Sequence, residues 1–307
     1  FVEKNPSSWY RTYDLKLEQQ NTWTTRGEHL GSDVVLRTSG EFANKWGFNA
    51  TLGAAQAGRD PVALRGGPLL YGPARWNWSG YLETDGTKRF WASIFAEGAQ
   101  SSENVFSSSA YGGKVSVRPT DSFSLSLTAQ ATTYSDRQQY VAAAPTTNGA
   151  TWLVSHLEGR SESLALRAEW HLRPELSLQY YGNPFGGTVR YGEFRQVLAP
   201  EAAALAQRLG PSLAPTMADG RYAFDLDADG VAECGFPRPD RNDASFHSNL
   251  VLRWEYRLGS TLYLAWSQQR YGDSSDLSDD AWSSLTRLRS QSSVNQFMLK
   301  VSYWFSS

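Results

Sequence analysis

Strict alternation of apolar and polar residues is the feature that most constrains how this chain of 307 residues can fold. The C-terminal segment shows the pattern clearly, because every second position is apolar: Phe297, Leu299, Val301, Tyr303 and Phe305. Successive side chains of a β-strand point to opposite faces, so a period of two predicts strands with one apolar and one polar face. The same period recurs along most of the sequence.

The alternation predicts twelve strands, most of them 9 to 13 residues long. Such lengths exceed the roughly 5–6 residues of an ordinary strand and match the roughly 9–11 residues that cross a bilayer at a tilt. The longest segment, 151–172, is interpreted as one strand that projects past the membrane; two strands hinged at Glu158-Gly159-Arg160 are the alternative. The predicted strands are 9–21, 33–43, 46–55, 74–84, 89–100, 111–119, 122–134, 151–172, 175–185, 246–257, 260–270 and 293–305.

The links between these strands alternate in length. Short links are expected at 44–45, 85–88, 120–121, 173–175 and 258–259, and long ones at 22–32, 56–73, 101–110, 135–150, 186–245 and 271–292. Short periplasmic turns at one end and long extracellular loops at the other are typical of outer-membrane barrels. The sequence therefore predicts an all-β fold, an antiparallel transmembrane β-barrel of about twelve strands, as one domain over residues 1–307. A soluble β-sandwich, with the apolar rows meeting in a dry core, is the alternative.

Composition limits the function classes. Charged residues make up 20 % of the chain and the net charge is -2, so there is no broad basic field and nucleic acid is not an expected partner. The sequence contains no run of about 18 uncharged apolar residues, so it predicts no membrane-spanning helix. The single cysteine, Cys234, excludes an internal disulfide and a multi-cysteine zinc site. The sequence begins at Phe1 without a signal-peptide pattern, so we expect that any signal peptide has been removed.

Charged residues of both signs alternate with the apolar rows and are the candidate lining of the barrel. About eight strands give a filled interior and about sixteen an open channel, so twelve strands predict a narrow lumen. We expect it to be partly closed by ion pairs and by an inward loop. The candidate lumen-lining residues are Arg37, Glu41, Arg75, Glu83, Glu97, Arg167, Glu169, Arg253, Glu255 and Lys300.

An acidic motif, Asp225-Leu226-Asp227-Ala228-Asp229-Gly230, has the alternate carboxylates and the glycine of a calcium loop. Glu233 is a later candidate ligand. Phe236 stands where the bidentate acid of such a loop is expected, and Asp240 is the possible substitute. We expect a structural Ca²⁺ at Asp225, Asp227, Asp229 and Glu233, with a solvated acidic turn as the alternative.

Two further features lie in the long loops. Residues 200–209, followed by Gly210, read as a short helix because proline opens the first turn and glycine ends it. This helix in loop 186–245 would cross the barrel mouth, fold inward or cap the surface. The motif 63–68, ALRGGP, places Arg65 to contact a ligand or a lipopolysaccharide phosphate. The alternative is a tight turn in which Arg65 pairs with an acid.

Catalysis has little support in the sequence. None of the spacings HExxH, GxSxG or CxxC occurs. His171 follows Glu169 on a predicted polar face and His247 precedes Arg253, which would allow a hydrolase dyad inside a barrel. A polar lumen network accounts for the same residues, so we expect a protein that is not an enzyme.

Four segments resemble a known family. They are ALRGGP at 63–68, ELSLQYYGNPF at 175–185, NLVLRWEYRLGSTLYLAWSQQR at 249–270 and FMLKVSYWF at 297–305. Together they resemble the C-terminal outer-membrane domain, of unassigned function, in proteins named for a family-nine-type carbohydrate-binding module. The resemblance implies a barrel in the outer membrane of a Gram-negative bacterium. It covers the later part of that domain, so this chain would also fit as the later part of a larger barrel.

The resemblance also bears on partners. Phe305, with Tyr303 on the same face, looks like the signal read by barrel-assembly machinery, although Ser306 and Ser307 follow it. Other expected partners are outer-membrane lipid, lipopolysaccharide, and an upstream carbohydrate-binding module or another envelope protein. The function expected first is a non-enzymatic channel or uptake component for small or saccharide-like solutes. An outer-membrane anchor for a binding module is the alternative, and a barrel-embedded hydrolase is the third.

Overall fold

The chain folds almost entirely into β-strands. A computed structural model describes residues 2–3, 5–146, 149–227, 229–274 and 286–305. In chain order its strands are β1 (Val2–Glu3), β2 (Tyr10–Trp23), β3 (His29–Phe42), β4 (Gly47–Ala55), β5 (Gly58–Asp60), β6 (Leu70–Gly72), β7 (Arg75–Glu83), β8 (Phe90–Ser101), β9 (Phe106–Thr120), β10 (Phe123–Thr146), β11 (Gly149–Arg173), β12 (Leu176–Val197), β13 (Leu209–Leu213), β14 (Thr216–Ala218), β15 (Arg221–Phe224), β16 (Cys234–Pro237), β17 (Arg241–Arg257), β18 (Ser260–Ser274) and β19 (Ser293–Ser302). The described residues also contain one helical turn, α1 (Leu205–Arg208), and the 3-10 turns Ser102–Asn104 and Leu288–Ser290.

One large antiparallel sheet organises the molecule. Its strands pair in the order β1-β2-β3-β4-β7-β8-β9-β10-β11-β12-β17-β18-β19, and β13 pairs with β12. Two small sheets, β5-β6 and β14-β15-β16, lie in the connections. The prediction of an all-β antiparallel fold is confirmed, and twelve long strands correspond to the twelve predicted ones. Within the described residues, the path of paired strands runs from β1 to β19 without returning to its start.

The strand register places the apolar residues on one face. Residues directly opposite each other in an antiparallel pair project to the same side. Leu17 lies opposite Leu36, Leu36 opposite Leu52, and Leu52 opposite Trp78, so one apolar row crosses β2, β3, β4 and β7. A second row crosses β12, β17, β18 and β19 through Leu178, Leu252, Leu264 and Leu299. The sheet therefore has one apolar face and one polar face.

The apolar face is exposed. Leu17 is 71 % exposed, Leu52 61 %, Ile94 62 % and Phe297 71 %. Two clusters of buried apolar side chains lie instead at the end of the sheet that carries the long loops, one around Leu64 and one around Phe224. In the part of the chain that the structure describes, no second sheet covers the apolar rows. This arrangement lacks the dry core that the sandwich alternative requires.

Several strands extend further into the long-loop end than the alternation predicts. Most of the expected loop 135–150 instead forms the hairpin of β10 and β11. Strand β11 is unbroken, as the interpretation of 151–172 as one strand predicts. The expected loop 186–245 shrinks to 198–240, because β12 continues to Val197 and β17 begins at Arg241. Bulges in β10 and beside β12 shift the register and so interrupt the period of two there.

The helix expected at 200–209 is a single turn, Leu205–Arg208. The carbonyl oxygens of Ala202 and Ala203 accept hydrogen bonds from the Arg208 guanidinium, at 2.6 and 2.9 Å, instead of continuing a helical ladder. The Pro200 carbonyl accepts from the amide of Tyr71 in β6 at 2.8 Å. These bonds to other parts of the molecule explain why the preceding residues do not extend the helix.

Strand β19 ends at Ser302, three residues before the predicted end at Phe305. The amide of Trp304 donates to the Oγ atom of Ser260 at 3.0 Å, and Ser260 is the first residue of β18. Since Ser302 lies opposite Thr261, only Ser260 of β18 remains beyond the last pair of the two strands. Ser306 and Ser307 lie outside the described residues.

Candidate functional site

The ten candidate lining residues all lie on the polar face of the sheet. The register aligns Arg37 with Thr51, Ser79 and Glu97 in one polar row, and Arg167 with Tyr181 in another. The others occupy the same face through their spacing of two along each strand. The complete set is Arg37, Glu41, Arg75, Glu83, Glu97, Arg167, Glu169, Arg253, Glu255 and Lys300.

Ion pairs connect some of these residues. Glu18 accepts the Nε atom of Arg37 at 3.0 Å and lies 2.6 Å from the Nζ atom of Lys16, so one carboxylate serves two cations. Arg253 pairs with Glu255 at 3.3 Å. Each pair is open to solvent, so water screens the attraction and the pair adds little to the stability of the fold. Their main effect is to hold charged groups in place on one face.

The remaining charges of the polar face have other partners. Arg11 pairs with Glu41, Tyr81 donates to Glu83 at 2.8 Å, and His171 lies 3.3 Å from Glu169. Three cations lie over aromatic rings, whose negative faces attract a positive charge. The distances to the ring centroids are 4.8 Å for Lys114 and Trp91, 5.0 Å for Arg167 and Tyr181, and 5.7 Å for Arg75 and Phe106.

A concavity of about 480 Å³ opens on this face between β9 and β17. Lys114, Arg167, Glu169 and Asn249 line it, together with Gln179. The Nε2 atom of Gln179 donates to Glu169 at 3.1 Å, which orients the carboxylate. The concavity offers hydrogen-bond donors and acceptors of both signs to a polar solute.

At the long-loop end, the motif 63–68 packs inward. Leu64 is 1 % exposed and contacts Leu70, Val154 and Val197 in the first buried cluster. Arg65 has a φ of 48°, and its guanidinium carbon lies 5.1 Å from the ring centroid of Tyr140. Among the described residues no acid pairs with Arg65, whose guanidinium lies over the ring of Tyr140. A lipopolysaccharide contact of Arg65 stays a prediction.

Arg208 ties three connections together, and sequence reasoning missed it. Its side chain is fully buried, its Nη2 atom lies 3.6 Å from Glu103 and its guanidinium carbon lies 5.0 Å from the ring centroid of Tyr71. Burial lowers the pKa of Arg208, while the Glu103 carboxylate opposes that shift. Glu103 also accepts the Leu205 amide at 2.9 Å, so the 3-10 turn, β6 and α1 form one unit.

A concavity of about 580 Å³ opens between this unit and the polar face, with Tyr71 of the unit in its wall. The register aligns Asp33, Arg75 and Asp136 in the row that lines it, and Tyr71 and Gln138 complete its wall. The Nε2 atom of Gln138 is buried and has no hydrogen-bond partner in the described structure. The concavity therefore has an unsatisfied donor where the polar face meets the loops.

The acidic motif forms the turn between β15 and β16. One carboxylate oxygen from each of Asp225, Asp227, Asp229 and Glu233 lies within 4.8 Å of the others. Asp229 accepts the Val231 amide at 2.8 Å, which holds the turn in place. Four converging carboxylates are a donor set that suits Ca²⁺.

Asp240 does not join that group, so its expected role as a substitute ligand is wrong. It accepts hydrogen bonds from the Tyr191 amide at 2.6 Å, the Tyr222 hydroxyl at 2.9 Å and the Nε atom of Arg238 at 2.7 Å. Burial and the bond to Asp240 raise the pKa of Tyr222. Beside it, the rings of Phe194, Phe224 and Phe236 form a cluster with centroids 5.1 to 6.1 Å apart, which anchors the small sheet.

The histidines do not form a catalytic triad in the described residues. The Nε2 atom of His156 lies 2.8 Å from the Oγ atom of Ser135 and 4.0 Å from Glu158. A triad needs its acid on the other ring nitrogen, where it orients the imidazole. His171 and Glu169 lie near each other on the polar face, and among the described residues no serine or cysteine side chain bonds to either of them.

The two expected assembly-signal residues lie next to each other at the end of the described chain. The rings of Tyr303 and Phe305 have centroids 4.6 Å apart, and Arg257 donates to the hydroxyl of Tyr303. Phe305 is 82 % exposed. Both side chains are therefore accessible to a binding partner. Their recognition by assembly machinery stays a prediction.

Comparisons with known proteins give a family and no function. In the described residues, no helix is long and apolar enough to span a membrane. No curated protein matches the chain. The family model described as a domain of unknown function, DUF5916, matches residues 2–306. The chain therefore belongs to the DUF5916 family, a domain whose function is unknown.

Proposed function

We propose that this chain forms the wall of an outer-membrane β-barrel that passes small polar solutes. The observation that carries the proposal is the exposed apolar face. Leu17, Leu52, Ile94 and Phe297 project from one side of a sheet of long strands. Soluble monomers rarely expose contiguous apolar surface beyond a few hundred Å². Contact with the hydrocarbon of a lipid bilayer would stabilise such a face.

The height of the apolar band fits this proposal. On β11 the band runs from Leu164 to Leu172, which is ~27 Å along the strand at about 3.4 Å a residue. At a tilt of about 40° this corresponds to roughly 21 Å across the membrane, near the roughly 25 Å of a barrel's apolar band. Towards the long loops the same face becomes polar at Glu162 and Arg160, which pair with each other. That change suits the boundary between lipid and water.

The polar face supports a channel for solutes. Ion pairs and cation–ring contacts hold charged groups on the side away from the proposed lipid, and the unit built on Arg208 covers one end of that face. In a barrel of about twelve strands such a lining leaves a narrow wet passage. The resemblance to the C-terminal outer-membrane domain of proteins named for a family-nine-type carbohydrate-binding module extends the proposed solutes to saccharide-like molecules. Lipopolysaccharide, and assembly machinery acting on Tyr303 and Phe305, are the proposed partners.

The test is reconstitution of the purified chain. We expect it to insert into vesicles of outer-membrane lipids, to migrate differently in detergent gels before and after boiling, and to conduct in planar bilayers. A chain that inserts and shifts on heating but is silent with every salt and solute would support the alternative, an outer-membrane anchor. A chain that neither inserts nor shifts would contradict the membrane proposal itself.

A further inference from the structure

The polar face carries its charges in two separate halves. On β2, β3, β7 and β8, six carboxylates stand against four cations: Asp14, Glu18, Asp33, Glu41, Glu83 and Glu97 against Arg11, Lys16, Arg37 and Arg75. On β9 to β19 four cations stand against two carboxylates: Lys114, Arg167, Arg253 and Lys300 against Glu169 and Glu255. The first half is net acidic and the second net basic.

The charges without an ion-pair partner separate in a similar way, apart from Arg75 of the acidic half, which lies over the ring of Phe106. In the acidic half, Glu97 makes no ion pair, and Glu83 accepts only a neutral hydroxyl, within the described structure. In the basic half, Lys114 and Arg167 lie over aromatic rings and Lys300 has no acid within 4.0 Å among the described residues. These groups keep their charge available to a solute that passes the face.

We propose that this divided face selects small zwitterions, with ammonium groups turned to the acidic half and carboxylates to the basic half. The inference rests on the proposed channel, because only a curved wall brings the two halves to face each other. Opposite charges on opposite walls produce an electric field across the passage. In this field a zwitterion, which has a large dipole, has a lower energy than a non-zwitterionic molecule of equal size. Ions of either sign meet one attractive and one repulsive wall, so selectivity between anions and cations is weak.

Glycine and glycolamide are suitable probes because they are isomers with nearly equal size, and only glycine is a zwitterion. Their flux into vesicles that contain the full chain is compared in the native protein and in two double variants. Glu83→Gln/Glu97→Gln removes charge from the acidic half, and Lys114→Gln/Arg167→Gln removes charge from the basic half. Arg160→Gln/Glu162→Gln is the control, since this pair lies on the opposite side of the sheet.

We expect glycine to enter faster than glycolamide through the native protein. Each double variant reduces the ratio of the two rates by about threefold, as expected for screened charges, and the control leaves the ratio unchanged. The reversal potential in a salt gradient shifts towards anions in the first variant and towards cations in the second. Equal native rates, or a ratio that neither variant changes, would overturn the divided-face inference and leave the channel standing. No flux of either isomer would overturn both.

Discussion

Leu52 of β4 lies directly opposite Leu36 of β3, and the two side chains are 61 % and 37 % exposed on the same face of the sheet. In a soluble protein, such a cross-strand pair would be covered by a second layer. Here the pair belongs to a row that continues to Leu17 on one side and Trp78 on the other. Under the proposed function this row contacts lipid, where exposed apolar surface would have no hydration cost.

A lysine on this face should destabilise the protein in a membrane. We expect Leu52→Lys to lower the free energy of unfolding in vesicles by about 2–4 kcal/mol, because an ammonium group near the bilayer centre loses its water. Asn49→Lys, on the polar face of the same strand, should cost much less. Urea unfolding of both variants in the same vesicles measures the difference. Equal losses would mean that the two faces have the same surroundings.

Removal of the Arg208 guanidinium should loosen the loops. Arg208→Met leaves the carbonyls of Ala202 and Ala203 without their donor, which costs about 1–3 kcal/mol of local stability. Hydrogen exchange of the amides in 199–213 should rise accordingly. Arg59→Met, which breaks an exposed ion pair with Glu201, is the matched control and should cost under about 1 kcal/mol. Unchanged exchange in the Arg208 variant would show that this residue does not hold the loops together.

Calcium should protect the acidic turn. We expect millimolar Ca²⁺ to slow proteolytic cleavage between Asp225 and Glu233, and a chelator to restore it, because the metal would bridge carboxylates that repel one another. Asp227→Asn should abolish the protection, while Asp219→Asn, in the neighbouring turn, should keep it. Cleavage rates that are the same with Ca²⁺ and with chelator would remove the calcium site from the account.

The thiol of Cys234 should react slowly at neutral pH. Burial raises the pKa of this thiol, and the neighbouring Glu233 carboxylate raises it further. Since only the thiolate is alkylated, the rate with iodoacetamide should keep rising with pH beyond the midpoint of an ordinary cysteine, near about 8.5. Glu233→Gln should move the midpoint downward. A midpoint at or below that of a free cysteine would contradict the packing around β16.

The sequence pattern predicted the strands best where the sheet is regular. Between the short turns and the middle of each strand, apolar and polar residues alternate without interruption, and the predicted ends agree closely, as for β4 and β18 at Ala55 and Ser260. The polar face could also be predicted, since Arg37, Arg167 and Arg253 all stand one position from an apolar residue. Alternation identifies the two faces of the sheet because the side chains on each face of a strand lie in a different environment.

The long-loop end could not be predicted in this way. The segment Ser135–Gln139 of β10 is polar at every position, so it has no period of two, and bulges then shift its register. The role of Arg208 could not be predicted from the sequence pattern, because its partners Glu103 and Tyr71 are more than a hundred residues away along the chain. Such contacts depend on tertiary packing, and a pattern along the chain does not report them.

In the proposed barrel wall, one face of the sheet contacts lipid and the other contacts water. Nitroxide labels placed singly at each position of Gly47–Ala55, in a Cys234→Ser background, test it in reconstituted vesicles. The account predicts that accessibility to oxygen peaks at Phe48, Ala50, Leu52 and Ala54, and that accessibility to a water-soluble nickel complex peaks at the positions between. Labels that show no alternation, or that are shielded from oxygen at Leu52, would contradict it.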